Sequence, residues 1–109
     1  MKKINVLKEN RDFKRIINAK KPFKYKSFIV YKEDTNEIYK FGISVIKKIG
    51  NAVLRNKIKR QISEIISKNN YENSFNCIII VRKSYLENNF LNNSNDLNYI
   101  FQKLNIKEK

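Results

Sequence analysis

The chain lacks histidine and tryptophan altogether, and its 109 residues include one cysteine, one proline and two glycines. Without an imidazole, no side chain can act as the usual proton acceptor for a serine nucleophile near neutral pH. Cys77 has no second cysteine for an intramolecular disulfide and no histidine for a Cys/His zinc site. We therefore assign no catalytic residue and no metal ligand, and we expect a protein of the reducing cytoplasm.

Long apolar runs are missing as well. The longest, such as residues 78–81, are far shorter than the ~20 residues that a membrane helix needs, and charged residues interrupt the N-terminal segment before an export signal can form. We therefore expect no membrane association. Hydrophobic residues make up 41% of the chain, which is enough for a core, and the length allows one domain, residues 1–109.

Acidic residues are scarce, and this shortage leaves a large uncompensated charge. The chain has 24 Lys and Arg against 10 Asp and Glu, a net charge of +14. Residues 1–26 carry a net +8, and residues 40–60 contain seven basic residues and no acid, whereas residues 61–109 carry only +1. A solvated face is the ordinary explanation of a charge run. Fourteen uncompensated charges on so small a domain instead favour a polyanionic partner such as nucleic acid.

The apolar pattern predicts six elements. A helix is expected at residues 10–19, with Asn10 as its N-cap, and strands at 27–31 and 38–46 are expected to form a hairpin. A helix from Ala52 to about Lys68 follows, then a strand at 77–81 that is apolar throughout and so covered on both faces. A last helix is expected to begin at Ser94 or Asn95.

This order of elements indicates a mixed sheet with helices packed on it, an α+β or α/β fold. Leu54, Ile58, Ile62 and Ile65 lie along one side of the helix that begins at Ala52, so its basic residues point away from the core. The many asparagines at 88–98 are attributed to compositional bias and are given no role.

Residues 47–60 contain a specific motif, Lys-Lys-x-Gly-x-Ala-Val-x-Arg-Asn-Lys-x-Lys-Arg. It resembles the signature of the bacterial ribonuclease P protein subunit, in which a Lys-Lys pair and a Gly precede a helix that opens with Arg-Asn-Arg-x-Lys-Arg. Weaker matches extend over nearly the whole chain, including Asp12-Phe13, residues 28–31 and Arg82-Lys83. The resemblance implies an α+β sandwich of three helices on a mixed sheet of about four strands.

The resemblance also implies a function. In this family a large catalytic RNA, with Mg²⁺ held mainly by that RNA, removes the 5′ leader of precursor tRNA, and the protein is an accessory binder without the catalytic site. Residues matching the motif would contact the catalytic RNA: Lys47, Lys48, Asn51, Arg55, Asn56, Lys57, Lys59 and Arg60. Others would line a groove for the single-stranded leader: Phe13, Tyr31, Arg82 and Lys83. No obligate protein partner is expected.

Alternatives stay open beside this interpretation. Phe13 could equally be a core residue, and the same alternative stays open for Tyr31, whereas Phe28 and Val30 are assigned to the core. Composition alone would also fit a basic structural RNA-binding protein such as a ribosomal component. A protein-only nuclease is disfavoured, because the candidate carboxylates show no shared spacing for a metal ion: Asp12, Glu33, Asp34, Glu37 and Glu64.

Overall fold

A computed structural model describes residues 5–8 and 11–106 and shows an α+β fold. In the described residues three helices pack on a four-stranded mixed sheet, which confirms the predicted fold class. Short 3-10 helices precede α2 and α3 at Lys47–Ile49 and Lys83–Glu87. The main elements in chain order are α1 (Arg11–Ala19), β1 (Phe23–Tyr25), β2 (Phe28–Asp34), β3 (Lys40–Val45), α2 (Ala52–Ser67), β4 (Phe75–Val81) and α3 (Phe90–Lys103).

The strands lie in the order β1-β2-β4-β3. β4 runs antiparallel to β2 and parallel to β3, and α2 makes the crossover that a parallel pair requires. The predicted hairpin between β2 and β3 is therefore wrong, because β4 lies between them. A strand that is apolar on both faces is most stable at the centre of the sheet, where both of its edges also find hydrogen-bonding partners.

The hairpin of this fold joins β1 to β2 instead. Tyr25 pairs with Phe28 across a turn in which Lys26 has φ of 53°. The sequence pattern did not predict β1, because three residues with a central lysine are too few to show an alternation. A lysine in the left-handed region is also an unusual turn signal.

Two hydrophobic clusters cover the two faces of the sheet. The larger one joins β2, β3 and β4 to α2 and α3, and it includes Phe28 and Val30, so their assignment to the core is confirmed. The smaller one lies under α1. β4 contributes Ile79 to the first and Ile78 to the second, which confirms that this strand is covered on both faces.

The helix boundaries show which local signals were informative. α2 begins at Ala52 as predicted, and three residues of its predicted apolar stripe, Ile58, Ile62 and Ile65, are buried while Leu54 is half-buried. The predicted start of α3 is wrong by about one and a half turns, because Asn89 is its N-cap and accepts a hydrogen bond from the backbone N–H of Asn92 at 2.8 Å. The cap predicted at Asn10 lies outside the described residues.

Asparagines within residues 88–98 have structural roles that the sequence did not indicate. Asn93 is 1% exposed and donates from Nδ2 to the carbonyl of Tyr85 at 3.0 Å. This bond fastens α3 to the preceding 3-10 helix. The attribution of residues 88–98 to compositional bias alone is therefore wrong for Asn89 and Asn93.

Candidate RNA interface

One end of the sheet is strongly basic. Val45, Val81, Phe28 and Tyr25 are paired across the sheet and lie at this end of their four strands. The residues just beyond them come from distant parts of the sequence, yet the strand order places them side by side. We call this group the basic rim, and it consists of Lys26, Lys47, Lys48, Arg82 and Lys83.

Ion pairs concentrate at the opposite end of the sheet. There Lys32 pairs with Asp34 at 3.1 Å, and Lys40 pairs with Glu37 at 3.6 Å. Within residues 5–8 and 11–106, no cation of the basic rim takes part in a salt bridge. The cations of the basic rim are thus left without an acidic partner among the described residues.

The start of α2 adds backbone donors to this basic end. Asn51 accepts a hydrogen bond from the N–H of Leu54 at 3.0 Å, which fixes the first turn. That turn has no acidic side chain, although an acid there would be favoured by the helix dipole. The free N–H groups and the dipole are therefore available to an external anion such as a phosphate.

The structure places all eight residues of the predicted catalytic-RNA surface at or near the start of α2, although Lys57 and Lys59 lie on different sides of the helix. Lys47 and Lys48 lie on the 3-10 helix just before α2, and the others lie at its N-cap or along its first nine residues, a length of about 13 Å. Arg55 and Lys59 are half-buried, whereas the remaining α2 cations of the motif, Lys57 and Arg60, are exposed.

The motif also contains an apolar residue, Val53, whose exposure was not predicted. The side chain of Val53 is 77% exposed on the first turn of α2. It lies on the same turn as the first residues of the motif, where it is open to a bound partner. Its signal in the sequence was its place off the apolar stripe of α2.

The predicted leader groove lies on the face of the sheet that carries α1. Phe13 and Tyr31 are only 6% and 9% exposed and pack with Leu7, Ile16 and Ile78. The alternative of a core residue therefore describes Phe13, whose ring has little free surface for a base. Tyr31 likewise lies in the floor of the groove.

More accessible side chains surround these two residues, and they were not among the predicted groove residues. Ile17, Ile29 and Ile80 are partly buried and pack against the same cluster. Ser44 is half-buried next to Ile80 in the register of the sheet. Their signal was the alternation of β2 and β4, which places Ile29 and Ile80 on the same face as Tyr31.

Arg82 and Lys83 lie where the groove meets the basic rim. Arg82 is half-buried, and its guanidinium donates to the carbonyl of Lys26. Its backbone N–H donates to the carbonyl of Ser27 at 2.8 Å. These bonds hold a cation in a fixed place beside the turn between β1 and β2, while Lys83 is exposed.

A carboxylate lies on the same face, toward the opposite end of β2. Glu33 accepts hydrogen bonds from Arg15 Nη2 at 3.0 Å and from Asn76 Nδ2 at 3.2 Å. The bond from Arg15 lowers the pKa of Glu33, and Glu33 in turn raises the pKa of Arg15. Glu33 is thus occupied in fastening α1 to β2.

Two general features complete the description of the site. In the described residues, no three side chains of His, Cys, Asp or Glu lie close enough together to hold a metal ion. No described helix combines the length and the apolar character needed to cross a membrane.

Comparison with known proteins decides the family. The family model for ribonuclease P matches residues 1–105. The chain belongs to the ribonuclease P protein family. A ribonuclease P protein component from Mycoplasma capricolum subsp. capricolum is 53% identical over 91 residues, which cover 80% of this chain and 84% of that protein. One from Mycoplasma mobile is 40% identical and covers 100% of this chain and 98% of its own length.

Solved structures of the ribonuclease P protein agree in fold. The protein from Staphylococcus aureus matches with a TM-score of 0.83 at 33% identity, covering 94% of this chain and 96% of that one. The protein from Thermotoga maritima matches with a TM-score of 0.76 at 28% identity, covering 85% and 91%. The chain is thus a protein component of an endoribonuclease holoenzyme, ribonuclease P, whose other component is RNA.

Proposed function

We propose that this protein assists an RNA-catalysed, Mg²⁺-dependent cleavage that removes the 5′ leader of precursor tRNA. It binds both the catalytic RNA and the leader and does not itself hold the catalytic site. One observation carries this proposal. The motif at the start of α2 lies beside the cations of the basic rim, none of which forms a salt bridge among the described residues. The absence of histidine from the sequence supports an accessory role.

The start of α2 docks on the phosphate backbone of the catalytic RNA in this proposal. Arginine and lysine form charge-assisted hydrogen bonds with phosphate oxygens, and the N-terminal N–H groups of α2 add to them. The proposed contacts are Lys47, Lys48, Asn51, Arg55, Asn56, Lys57, Lys59 and Arg60. Val53 adds an apolar contact to a sugar or base.

The groove beneath α1 holds the single-stranded leader of precursor tRNA. Bases would lie against the exposed edges of Ile29 and Ile80, with Tyr31 and Phe13 forming the floor beneath them. Arg82 and Lys83 neutralise the leader phosphates as the strand leaves the groove. The pair of Arg15 and Glu33 lies toward the other end of this face, and the strand leaves the groove on the side of the basic rim.

Mg²⁺ is held mainly by the RNA in this scheme. The described carboxylates do not cluster, and Glu33 is engaged by Arg15 and Asn76. The protein works in the cytoplasm as a single domain of residues 1–109 and needs no other protein to act.

Reconstitution tests the function. Full-length protein should cleave no RNA alone, whereas protein, ribonuclease P RNA and Mg²⁺ together should produce mature tRNA 5′ ends at low Mg²⁺ and salt concentrations where the RNA alone is weak. Cleavage by the protein without RNA would refute the proposal. Sequencing of RNA that copurifies with the protein from cells distinguishes it from a ribosomal role, which ribosomal RNA would indicate.

Single substitutions test the docking surface. Arg55→Ala or Arg60→Ala should weaken binding to the catalytic RNA and reduce the salt dependence of log K by about 1, as loss of one phosphate contact does. Lys40→Ala is the matched control, because Lys40 lies at the opposite end of the sheet and pairs with Glu37. Equal losses in all three variants would mean that bulk charge, rather than the motif, binds the RNA.

A further inference from the structure

An exposed pair of tyrosines lies at the outer edge of the sheet, away from the motif. The rings of Tyr25 on β1 and Tyr99 on α3 are 4.5 Å apart between centroids, at an interplanar angle of 32°. Tyr99 is 39% exposed and Tyr25 is half-buried. The pair is therefore partly accessible, although Tyr25 also packs against the larger hydrophobic cluster, on the face of the sheet opposite α1.

Two lysines flank this pair. Lys26 Nζ lies 5.6 Å from the centroid of Tyr25, and Lys103 Nζ lies 5.4 Å from that of Tyr99. Both lysines are exposed. Asp96, one turn before Tyr99, is the one acidic residue of α3. Each ring thus has the other ring on one side and an exposed lysine over the ring, so a base can stack here when the lysine turns from the ring to a phosphate. Aromatic rings with cations at hand bind single-stranded nucleic acid through base stacking and phosphate contacts.

The fold joins this pair to the basic rim. Tyr25 lies at the end of β1, and the next residue, Lys26, belongs to the rim and is bonded through its carbonyl to Arg82. β1 and β3 are the two edge strands, three strand spacings or about 14 Å apart. The motif therefore begins just after one edge strand, β3, and the tyrosine pair lies at the other edge strand, β1.

We propose that Tyr25 and Tyr99 form a stacking site for nucleotides of the precursor leader that extend past the groove, with Lys26 and Lys103 binding their phosphates. This inference rests on the proposed function and adds a second leader contact to it. The leader is the occupant because stacking on an exposed ring requires unpaired bases, which a double-stranded RNA surface does not offer. It also leaves the groove at Arg82, next to Lys26.

The test uses holoenzyme reconstituted from full-length protein and catalytic RNA. Its substrates are precursor tRNAs whose leaders are shortened stepwise from the 5′ end. Tyr99→Leu should weaken binding of long-leader substrates about tenfold, the effect of losing one stacked base, and should leave short-leader substrates unaffected. Tyr99→Phe keeps the ring and should match the wild type. Lys103→Gln should give a smaller loss with the same dependence on leader length.

Three results would overturn the inference: unchanged affinity at every leader length, an equal loss at every length, or weaker binding of the catalytic RNA itself by Tyr99→Leu. Should Tyr99→Leu fold poorly, Lys103→Gln gives the same comparison without altering a ring or a cation of the basic rim. Failure of the wild-type protein to stimulate cleavage would instead refute the proposed function, and with it this site. A failure of the stacking site is thus seen in the variants, whereas a failure of the proposed function is seen in the wild-type protein.

Discussion

The ring of Phe13 on α1 lies directly over Gly42 on β3. A Cβ atom added to Gly42 would come within 3.0 Å of two atoms of that ring, and it would lie 3.1 Å from the carbonyl oxygen of Leu7. Glycine is therefore required here by the close packing of α1 on the sheet. The relationship also explains why Phe13 is buried and offers little surface to a base.

Gly42→Ala should destabilise the protein by about 1–3 kcal/mol, because the added methyl group overpacks a filled contact. Urea denaturation measures the loss. Phe13→Leu should be less harmful in the Gly42→Ala background than in the wild type, since the smaller side chain relieves the clash. In Gly50→Ala the new methyl group would meet the flexible end of Leu54, so this control should lose less stability. Equal losses at both glycines would contradict the packing argument.

Glu33→Gln should make the stability of the protein less dependent on pH. Arg15 lowers the pKa of Glu33 from its ordinary 4.5 in the folded state. A lowered pKa stabilises the fold fully above the unfolded value, and this stabilisation is lost as the pH falls below about 4.5 and through the folded pKa. The wild type should thus exceed Glu33→Gln in stability at neutral pH, and the gap should close in acid.

Urea midpoints measured from neutral to acidic pH test this expectation. Asp34→Asn is a suitable control. The side chain of Asp34, next to Glu33 in the chain, is 82% exposed, and exposed ion pairs contribute little to stability. A gap between wild type and Glu33→Gln that stayed constant down to low pH would show that the lost contact is steric rather than ionic.

Asn51 should show separate effects on stability and on RNA binding. Asn51→Ala removes the cap of α2 and should cost about 1 kcal/mol. Asn51→Asp keeps an acceptor for the N–H of Leu54 and favours the helix dipole, so stability should be retained. Its negative charge should nevertheless weaken binding to the catalytic RNA. Thermal unfolding and RNA titration measure the two effects, and unchanged RNA affinity in Asn51→Asp would place the RNA elsewhere.

Cys77 should be inert in the folded protein. It is fully buried on β4, and burial raises the pKa of its thiol far above the usual range, so almost no thiolate forms near neutral pH. Its reaction with a thiol reagent should therefore require unfolding and should follow the unfolded fraction across a urea titration. Rapid labelling without denaturant would show that β4 is accessible in the native state.

Local patterns identified most of the elements correctly. The stripe of Ile58, Ile62 and Ile65 and the start at Ala52 could be read directly, because helix periodicity and capping act over a few residues. The apolar run at 77–81 likewise predicted a strand with both faces covered. The start of α3 was wrong because Asn89 follows a 3-10 helix rather than a clear apolar repeat.

Pairing between strands could not be read in this way. The expected hairpin between β2 and β3 joined strands that are neighbours in sequence, whereas β4, some 30 residues later, pairs with both. Only tertiary packing brings these segments together. Both faces of β4 are apolar and must be covered, and this favours a central position between β2 and β3. The short strand β1 depends on its pairing with β2 in the same way.

The sequence by itself determined the excess of positive charge, the helix that carries the motif and the family to which the chain belongs. These features depend on composition and on spacing along one element. The tertiary structure alone decided that Lys26, Lys48 and Arg82 lie on one rim, that Phe13 is buried over Gly42, and that Tyr25 meets Tyr99. Each of these relationships joins residues distant in the chain, and the order of the strands sets which of them become neighbours.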